Sequence, residues 1–292
     1  VTLKVAHPKQ YQTFASAENA RLTMETCGMV CVEQIETKTI QQAPPLLYDL
    51  TALQKEANKK HSFSADRTLQ LAQQLYEKKF ITYPRTGSRY ISDDVFYEIP
   101  GLIESLQTHP QFGAYAKSLK DKELNKRSVD TAKVTDHHAL LPTENVAQGL
   151  TEDEAVIYDM VISRMLEAFS ASFIKERTLA HCIIGQSDAL ITGDKPLQHG
   201  WKAVLNEKND NGDEEIAENL PPLEEGEHLP VSHLEITAHQ TKPKPLYNEA
   251  TLLSAMEIAG KDLADEAAKT AMKACGLGTP ATRANIIETL II

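Results

Sequence analysis

One segment of the 292-residue chain concentrates the groups that attack on a phosphodiester would need. Lys78-Lys79-Phe80-Ile81-Thr82-Tyr83-Pro84-Arg85-Thr86-Gly87-Ser88-Arg89-Tyr90-Ile91-Ser92 holds four bases and no acid. Pro84 and Gly87 impose a turn just after a helical pattern ends. A tyrosine stiffened by the following proline can supply a phenol oxygen as nucleophile and form a phosphotyrosine. Arg85, two residues on, can grip the non-bridging oxygens with its planar fork and offset transition-state charge. The same composition also suits a plain basic turn with a half-buried tyrosine.

Two further segments carry chemistry. Asp136-His137-His138-Ala139-Leu140-Leu141-Pro142-Thr143 places two histidines side by side. Neighbours on an extended chain point to opposite faces, which makes them poor joint ligands for a metal. One of them can instead donate to a phosphate, or both can be ordinary surface histidines. Gly276-Leu277-Gly278-Thr279-Pro280-Ala281-Thr282-Arg283 sends a glycine-rich backbone into a helix start. That pattern makes an anion site, with Thr279, Thr282 and Arg283 as extra donors. It equally describes a well-capped helix, with Thr as N-cap and Pro at the first position. No Gly-Lys-Ser/Thr follows, so it is not a nucleotide-binding loop.

The elements that must position these segments alternate in kind. Residues 1–49 mix strands and one helix: a strand-like run at Val1–Val5, another at Tyr11–Ala17, a helix over Asn19–Cys27 closed by Gly28, and a strand over Met29–Ile40. Pro44-Pro45 then breaks the chain. Helical spacing follows at Leu46, Leu47, Leu50 and Leu53. Ser64 caps a helix over about 65–79, Ser92-Asp93-Asp94 opens another, and shorter helices fall at 101–107 and 111–120. Thr151 and Glu154 form a capping box for a long helix to about Ser170. Strands return at Leu179–Gly185, Ala189–Thr192, Trp201–Leu205 and Val231–Thr237. Helices resume at Asn248–Ala259, Leu263–Ala274 and from Thr279 onward. The expected class is α+β multidomain. A discontinuous β-rich domain (1–48 and 173–241) receives a helical domain (49–172) that carries Tyr83. Residues 242–292 begin a further helical domain.

Composition bounds the rest. Hydrophobic residues make up 41% and charged residues 24%, ordinary for a globular chain. No apolar run reaches membrane-spanning length, and the first thirty residues show no leader pattern. Four cysteines without a CxxC pair suit a reducing, cytoplasmic setting. The net charge of −11 argues at first against a nucleic-acid partner. Nine acids and one base between Asn206 and His228 account for eight of those charges, in what reads as a solvated loop. The tyrosine segment is locally +4, and local charge governs phosphate contact. Both ends run into regular patterns without stop signals, so the expectation is a piece of a longer protein.

Taken in order, the motifs resemble the type IA DNA topoisomerases, and within them the topoisomerase III branch. Ile81-Thr82-Tyr83-Pro84-Arg85-Thr86 is similar to that family's active-site tyrosine motif, and Ala72-Gln73-Gln74-Leu75-Tyr76-Glu77 to the helix leading into it. His137-His138-Ala139-Leu140-Leu141-Pro142-Thr143 resembles its histidine segment. Leu246-Tyr247-Asn248-Glu249-Ala250-Thr251-Leu252 and Gly278–Arg283 resemble its later DNA-binding segments, and Pro44–Leu50 fits as well.

The resemblance implies transient cleavage of one DNA strand through a 5′-phosphotyrosine on Tyr83, with Arg85 at the scissile phosphate and His137 supporting binding or gate opening. His138, Thr279, Thr282, Arg283, Gln73 and Tyr76 would contact the single strand. The expected partner is single-stranded DNA, with no membrane and no nucleotide cofactor. In the family, a Toprim domain with an Asp-x-Asp motif carries Mg²⁺. No two Asp here stand at i and i+2, so no cofactor is expected in this chain and Mg²⁺ belongs to a Toprim domain outside it. Gly87 also departs from the family, which commonly has Asp there.

Other enzymes that use tyrosine on DNA fit less well. Relaxases need His-x-His, and tyrosine recombinases carry the nucleophile near the C-terminus. A non-catalytic single-strand-binding module with the same fold is the remaining alternative.

Overall fold

The computed structural model describes residues 10–206, 217, 218, 220–260, 265–267, 269, 270 and 276–291. The expected strand at Val1–Val5, residues 207–216 of the acidic loop and most of the helix expected at Leu263–Ala274 lie outside them. The chain divides into two compact units.

The first unit draws on Val1–Ala43, Ser172–Gly200 and Glu207–Lys244. Helix α1 (Phe14–Cys27) leads into strand β1 (Met29–Gln42) through Gly28, whose φ of 66° closes the helix in the left-handed region. The helix begins earlier than the alternation at Tyr11–Ala17 suggests. The Thr13 side chain accepts a hydrogen bond from Ser16 N and caps it, while Phe14 stays 71% exposed, so no buried strand face exists there. Strands β2 (Phe173–Ile184) and β3 (Ser187–Gln198) extend the sheet antiparallel. With β4 (Ala217–Glu218) and β5 (His228–Pro230), the order is β4-β3-β2-β1-β5. The register sets Val32 opposite Cys182 and Ala180 opposite Ile191, and these pairs with Val30 and Met24 form the sheet's core. On the other face Asp194 is buried between Lys175 and Arg177, with Arg177 Nε donating to it at 2.8 Å. The strand expected at Val231–Thr237 does not form. Its predecessor β5 pairs with Met29–Cys31, and Val231 N then turns to Gly28 O.

The second unit comprises Pro44–Ala171, Trp201–Asn206 and Pro245–Ile292. Among the described residues its helices are α2 (Leu50–His61), α3 (Ala65–Glu77), α4 (Asp93–Phe96), α5 (Ile99–Ser105), α6 (Gly113–Leu119), α7 (Glu152–Ala168), α8 (Glu249–Glu257) and α9 (Pro280–Ile291). Leu53, Leu71, Leu75, Ile157, Met165 and Phe169 build one core, sealed by Ile81 and Ile91 on either side of the tyrosine turn. Each such fully buried aliphatic side chain contributes about 1.5–3 kcal/mol. The Thr151–Glu154 capping box forms with both of its bonds. Trp201–Leu205, expected as a strand, starts as a 3-10 turn (Gly200–Ala203), where Trp201 N donates to Ala171 O.

Of residues 242–292, expected to begin a further helical domain, Pro245–Ile292 fall in the same compact unit as the tyrosine-bearing helices. Glu249 accepts a hydrogen bond from Ala65 N at 2.6 Å, so α8 caps the start of α3. Asn58 returns the favour to Ala250 N at 3.2 Å. Leu253, Met256, Ala284 and Ile287 form a small core with Ala65.

Candidate DNA-cleavage site

The tyrosine turn is held by a second strand-like segment. Thr82 N donates to Leu141 O at 2.9 Å, Leu141 N donates to Thr82 Oγ1 at 3.0 Å, and Thr143 N donates to Phe80 O at 3.0 Å. Ile81 and Pro142 form an antiparallel bridge. Ile81 and Pro84 are buried, and Thr82 and Tyr83 between them are half-exposed. This pairing joins two motifs that stand more than fifty residues apart.

Its consequence is a three-ring cluster. The Tyr83 ring lies 4.6 Å from the His137 ring, tilted by 53°, and meets the Tyr76 ring edge-on at 5.3 Å. Such contacts fix a ring's orientation and are worth about 0.5–1.5 kcal/mol each. Thr86 anchors the histidine segment from the other side: its hydroxyl donates to His137 O at 2.9 Å and accepts from Ser88 N at 3.1 Å. Arg89 Nε donates to Leu47 O at 3.1 Å and ties the end of the turn to the Pro44–Leu50 segment. Arg85 is exposed and makes no hydrogen bond or ion pair among the described residues. A phenol and an imidazole therefore meet in one cluster, with an exposed arginine two residues along the chain from the phenol.

The other candidates separate into two groups. His138 is half-buried with Nδ1 2.7 Å from Ala139 O, so that nitrogen carries the proton and donates to its neighbour's carbonyl. Gln73 donates to Glu77 at 3.1 Å along α3. Thr279 and Thr282 are exposed, but their polar atoms serve the helix start: Thr279 N donates to Thr282 Oγ1 at 2.9 Å. Arg283 is the departure. It is 6% exposed, Nε donates to Leu277 O at 3.0 Å, Nη1 donates to Thr51 Oγ1 at 3.1 Å, and Glu257 lies 3.7 Å away. The expected extra donor for DNA is a buried brace. Gly276 and Gly278 make the turn around it, at φ of 63° and 68°. A Cβ on Gly276 would stand 2.7 Å from Met256 O, a distance that only glycine avoids. The start of α9 still lies beside the tyrosine turn, because Pro280 Cγ comes within 3.4 Å of where a Gly87 Cβ would be.

Sequence reasoning missed Thr86 and Asn58, whose partners are distant in sequence, and also Asp49. Asp49 is a local N-cap, with Ala52 N donating to it at 2.6 Å, and the Asp-x-x spacing before α2 was its available signal. Burial pushes the Asp49 carboxyl above its usual range despite that bond.

A family model described as DNA topoisomerase matches residues 3–292. The chain belongs to the type IA DNA topoisomerases. It is 38% identical to DNA topoisomerase 3 of Bacillus subtilis, over 97% of this chain and 40% of that protein. DNA topoisomerase 3 of Bacillus licheniformis is 39% identical over 96% of the chain and 40% of its own length. The chain thus spans about 40% of the length of these curated relatives. Among solved structures, topoisomerase I from Thermotoga maritima superposes with a TM-score of 0.71 at 24% identity, over 99% of this chain and 44% of that one. That likeness speaks for the fold. Among the described residues, no helix is long and apolar enough to cross a membrane.

Proposed function

We propose that this type IA topoisomerase chain carries the strand-cleaving nucleophile and that Tyr83 is that group. The observation that carries the reading is the placement of Tyr83 between Tyr76 and His137, two residues before an exposed Arg85. In the proposed step, Tyr83 Oη bonds to the scissile phosphorus and the bond to the 3′-oxygen breaks. The phenol proton leaves and the 3′-oxygen gains one, which releases a 3′-hydroxyl. Arg85 screens the charge on the non-bridging oxygens. His137 fixes the ring that attacks and presents an imidazole to the bound strand. Passage of a second strand and reversal of the step would then change DNA topology.

Single-stranded DNA is the proposed substrate. Half-exposed rings at Tyr83 and Tyr76 offer stacking faces that tolerate any base. A free phenol has a pKa near 10, so at neutral pH proton removal needs help that Arg85 does not give. The donors among the described residues do not fit the Mg²⁺ implied by the family resemblance. Among the described residues, no group of three or more His, Cys, Asp or Glu side chains is placed to hold a metal ion. We accordingly propose that the chain alone binds single strands and cleaves them poorly, and that a polypeptide joining it to a Toprim domain cleaves efficiently.

The experiment incubates both polypeptides with a labelled single-stranded oligonucleotide and Mg²⁺ and scores covalent adduct. The joined polypeptide should form adduct and its Tyr83→Phe variant none. Adduct in the Tyr83→Phe variant would sink the assignment, and abundant adduct from the chain alone would sink the requirement for a Toprim domain.

A further inference from the structure

The turn that aims Tyr83 is clamped from a direction that the tyrosine motif itself does not reveal. Helix α3 ends at Glu77, and the chain must reverse within two residues to enter the strand-like run at Phe80. Lys79 does this with φ of 62°, an uncommon conformation for a residue with a Cβ. The carbonyl it turns outward accepts two side-chain bonds, from Thr143 Oγ1 at 2.5 Å and Asn145 Nδ2 at 3.1 Å. Its neighbour Lys78 reaches across to α7, where its Nζ lies 2.5 Å from Glu154 Oε1. The Glu154 side chain is 3% exposed, whereas that of Lys78 is 44% exposed. Both Glu154 oxygens are engaged, since Oε2 accepts from Thr151 N at 2.9 Å and Thr151 Oγ1 at 3.2 Å. Lys78 is therefore the cation that balances a buried carboxylate at the start of a 17-residue helix.

Removing Lys78 leaves the buried Glu154 carboxylate without its cation. The turn residue next to Lys78 is already strained, so it is the element that yields. We infer that Lys78 and Glu154 are positioning residues for the nucleophile. Their ion pair fixes where α3 ends, and with it the angle at which Tyr83 meets His137. This deepens the proposed cleavage role of Tyr83 and rests on it only for the kinetic part of the test. Neither residue touches the reacting atoms. A small displacement at the turn translates into misalignment of the phenol, to which in-line attack is sensitive.

The test has a spectroscopic and a kinetic arm. In the chain labelled with ¹³C at the rings of its nine tyrosines, the Tyr83 signals are identified by their loss in Tyr83→Phe. Lys78→Met and Glu154→Gln should both move the Tyr83 signals and leave those of exposed Tyr97 and Tyr247 in place, while Lys78→Arg should restore them. In the polypeptide joined to a Toprim domain, Lys78→Met should slow adduct formation about tenfold with oligonucleotide Kd changed less than about twofold. Lys78→Arg should recover to within about threefold, and the Lys78→Met/Glu154→Gln double variant should be no slower than the worse single variant. A lowered Tm with the Tyr83 signals unmoved would mark a merely structural pair and overturn the inference. So would an unchanged adduct rate, or losses that multiply in the double variant. If Tyr83→Phe still forms adduct, the cleavage assignment fails, yet the spectra still decide whether the pair positions this ring.

Discussion

Arg85 and Arg283 look alike in the sequence and do opposite things in the fold. Each follows a proline closely, and each sits in a segment with glycine and hydroxyl neighbours. Arg85 is exposed and makes no polar contact among the described residues. Arg283 is 6% exposed, and its guanidinium is spent on Leu277 O, Thr51 and Glu257. The difference lies in what surrounds each turn. The tyrosine turn is clamped by backbone pairing to 139–143, so its arginine is not needed for structure. The 276–283 turn has two left-handed glycines and no ladder, and an arginine drawn inward takes the ladder's place. A guanidinium can be a tool or a brace, and backbone pairing decides which.

This contrast can be broken by substitution. The largest effect is expected from Arg283→Ala. It strands the Thr51 hydroxyl and the Leu277 carbonyl and leaves Glu257 with Lys55, 2.9 Å away, as its remaining cation. The expected loss is about 2–4 kcal/mol by chemical denaturation, in the range for breaking a buried charged network. Next is Gly276→Ala, where the new Cβ meets Met256 O and the left-handed φ is strained, for an expected loss of about 1–3 kcal/mol. Thr282→Val removes the hydroxyl that bonds Thr279 N, Oγ1 and O at an exposed site, and the expected loss is about 0.5–1 kcal/mol. Arg85→Ala should change stability by less than about 0.5 kcal/mol, as surface sites do, while weakening single-strand binding in a filter assay. Equal stability losses at Arg85 and Arg283 would erase the comparison.

Acid should act on the braces rather than on the exposed site. The Lys78 ammonium, helped by Thr151 N–H, holds the Glu154 carboxyl below its usual range. Burial works to raise Asp194, but hydrogen bonds from Arg177 and Lys175 win and its carboxyl is also lowered. Carboxyls lowered in the fold contribute stability that is complete above their unfolded values, about 4.3 for Glu and 3.9 for Asp. That contribution disappears as pH falls through the lowered folded values. A Tm that drops below about pH 4 should drop less in Glu154→Gln, which has no such proton to take up.

Much of this was readable from local pattern. Gly28 as a left-handed cap, the Thr151–Glu154 box, Asn248 before α8 and Thr279-Pro280 before α9 are short-range devices whose partners lie within four residues. Alternation at Tyr11–Ala17 and Trp201–Leu205 suggests strands, but a Thr13 cap and a turn at Gly200 direct the chain otherwise. The site was legible as ordered motifs and not as geometry. Pairing of Thr82 with Leu141 spans 59 residues, and the bond from Arg283 to Thr51 spans 232, so no local pattern encodes either. For that reason the local sequence around Arg283 suggests a ligand donor where the fold has a brace. Gly87 was noticed as a departure from the family, but the approach of Pro280 to it needed the fold.

The central claim is that Tyr83 becomes covalently joined to DNA. The most direct measurement is peptide mapping of adduct formed by the chain joined to a Toprim domain, after nuclease trimming and trypsin digestion. Mass spectrometry should find the nucleotide phosphate on the Phe80–Arg85 peptide, bonded to Tyr83. A nucleotide mass on a peptide containing another tyrosine, or on Thr82 of the same peptide, would contradict the account.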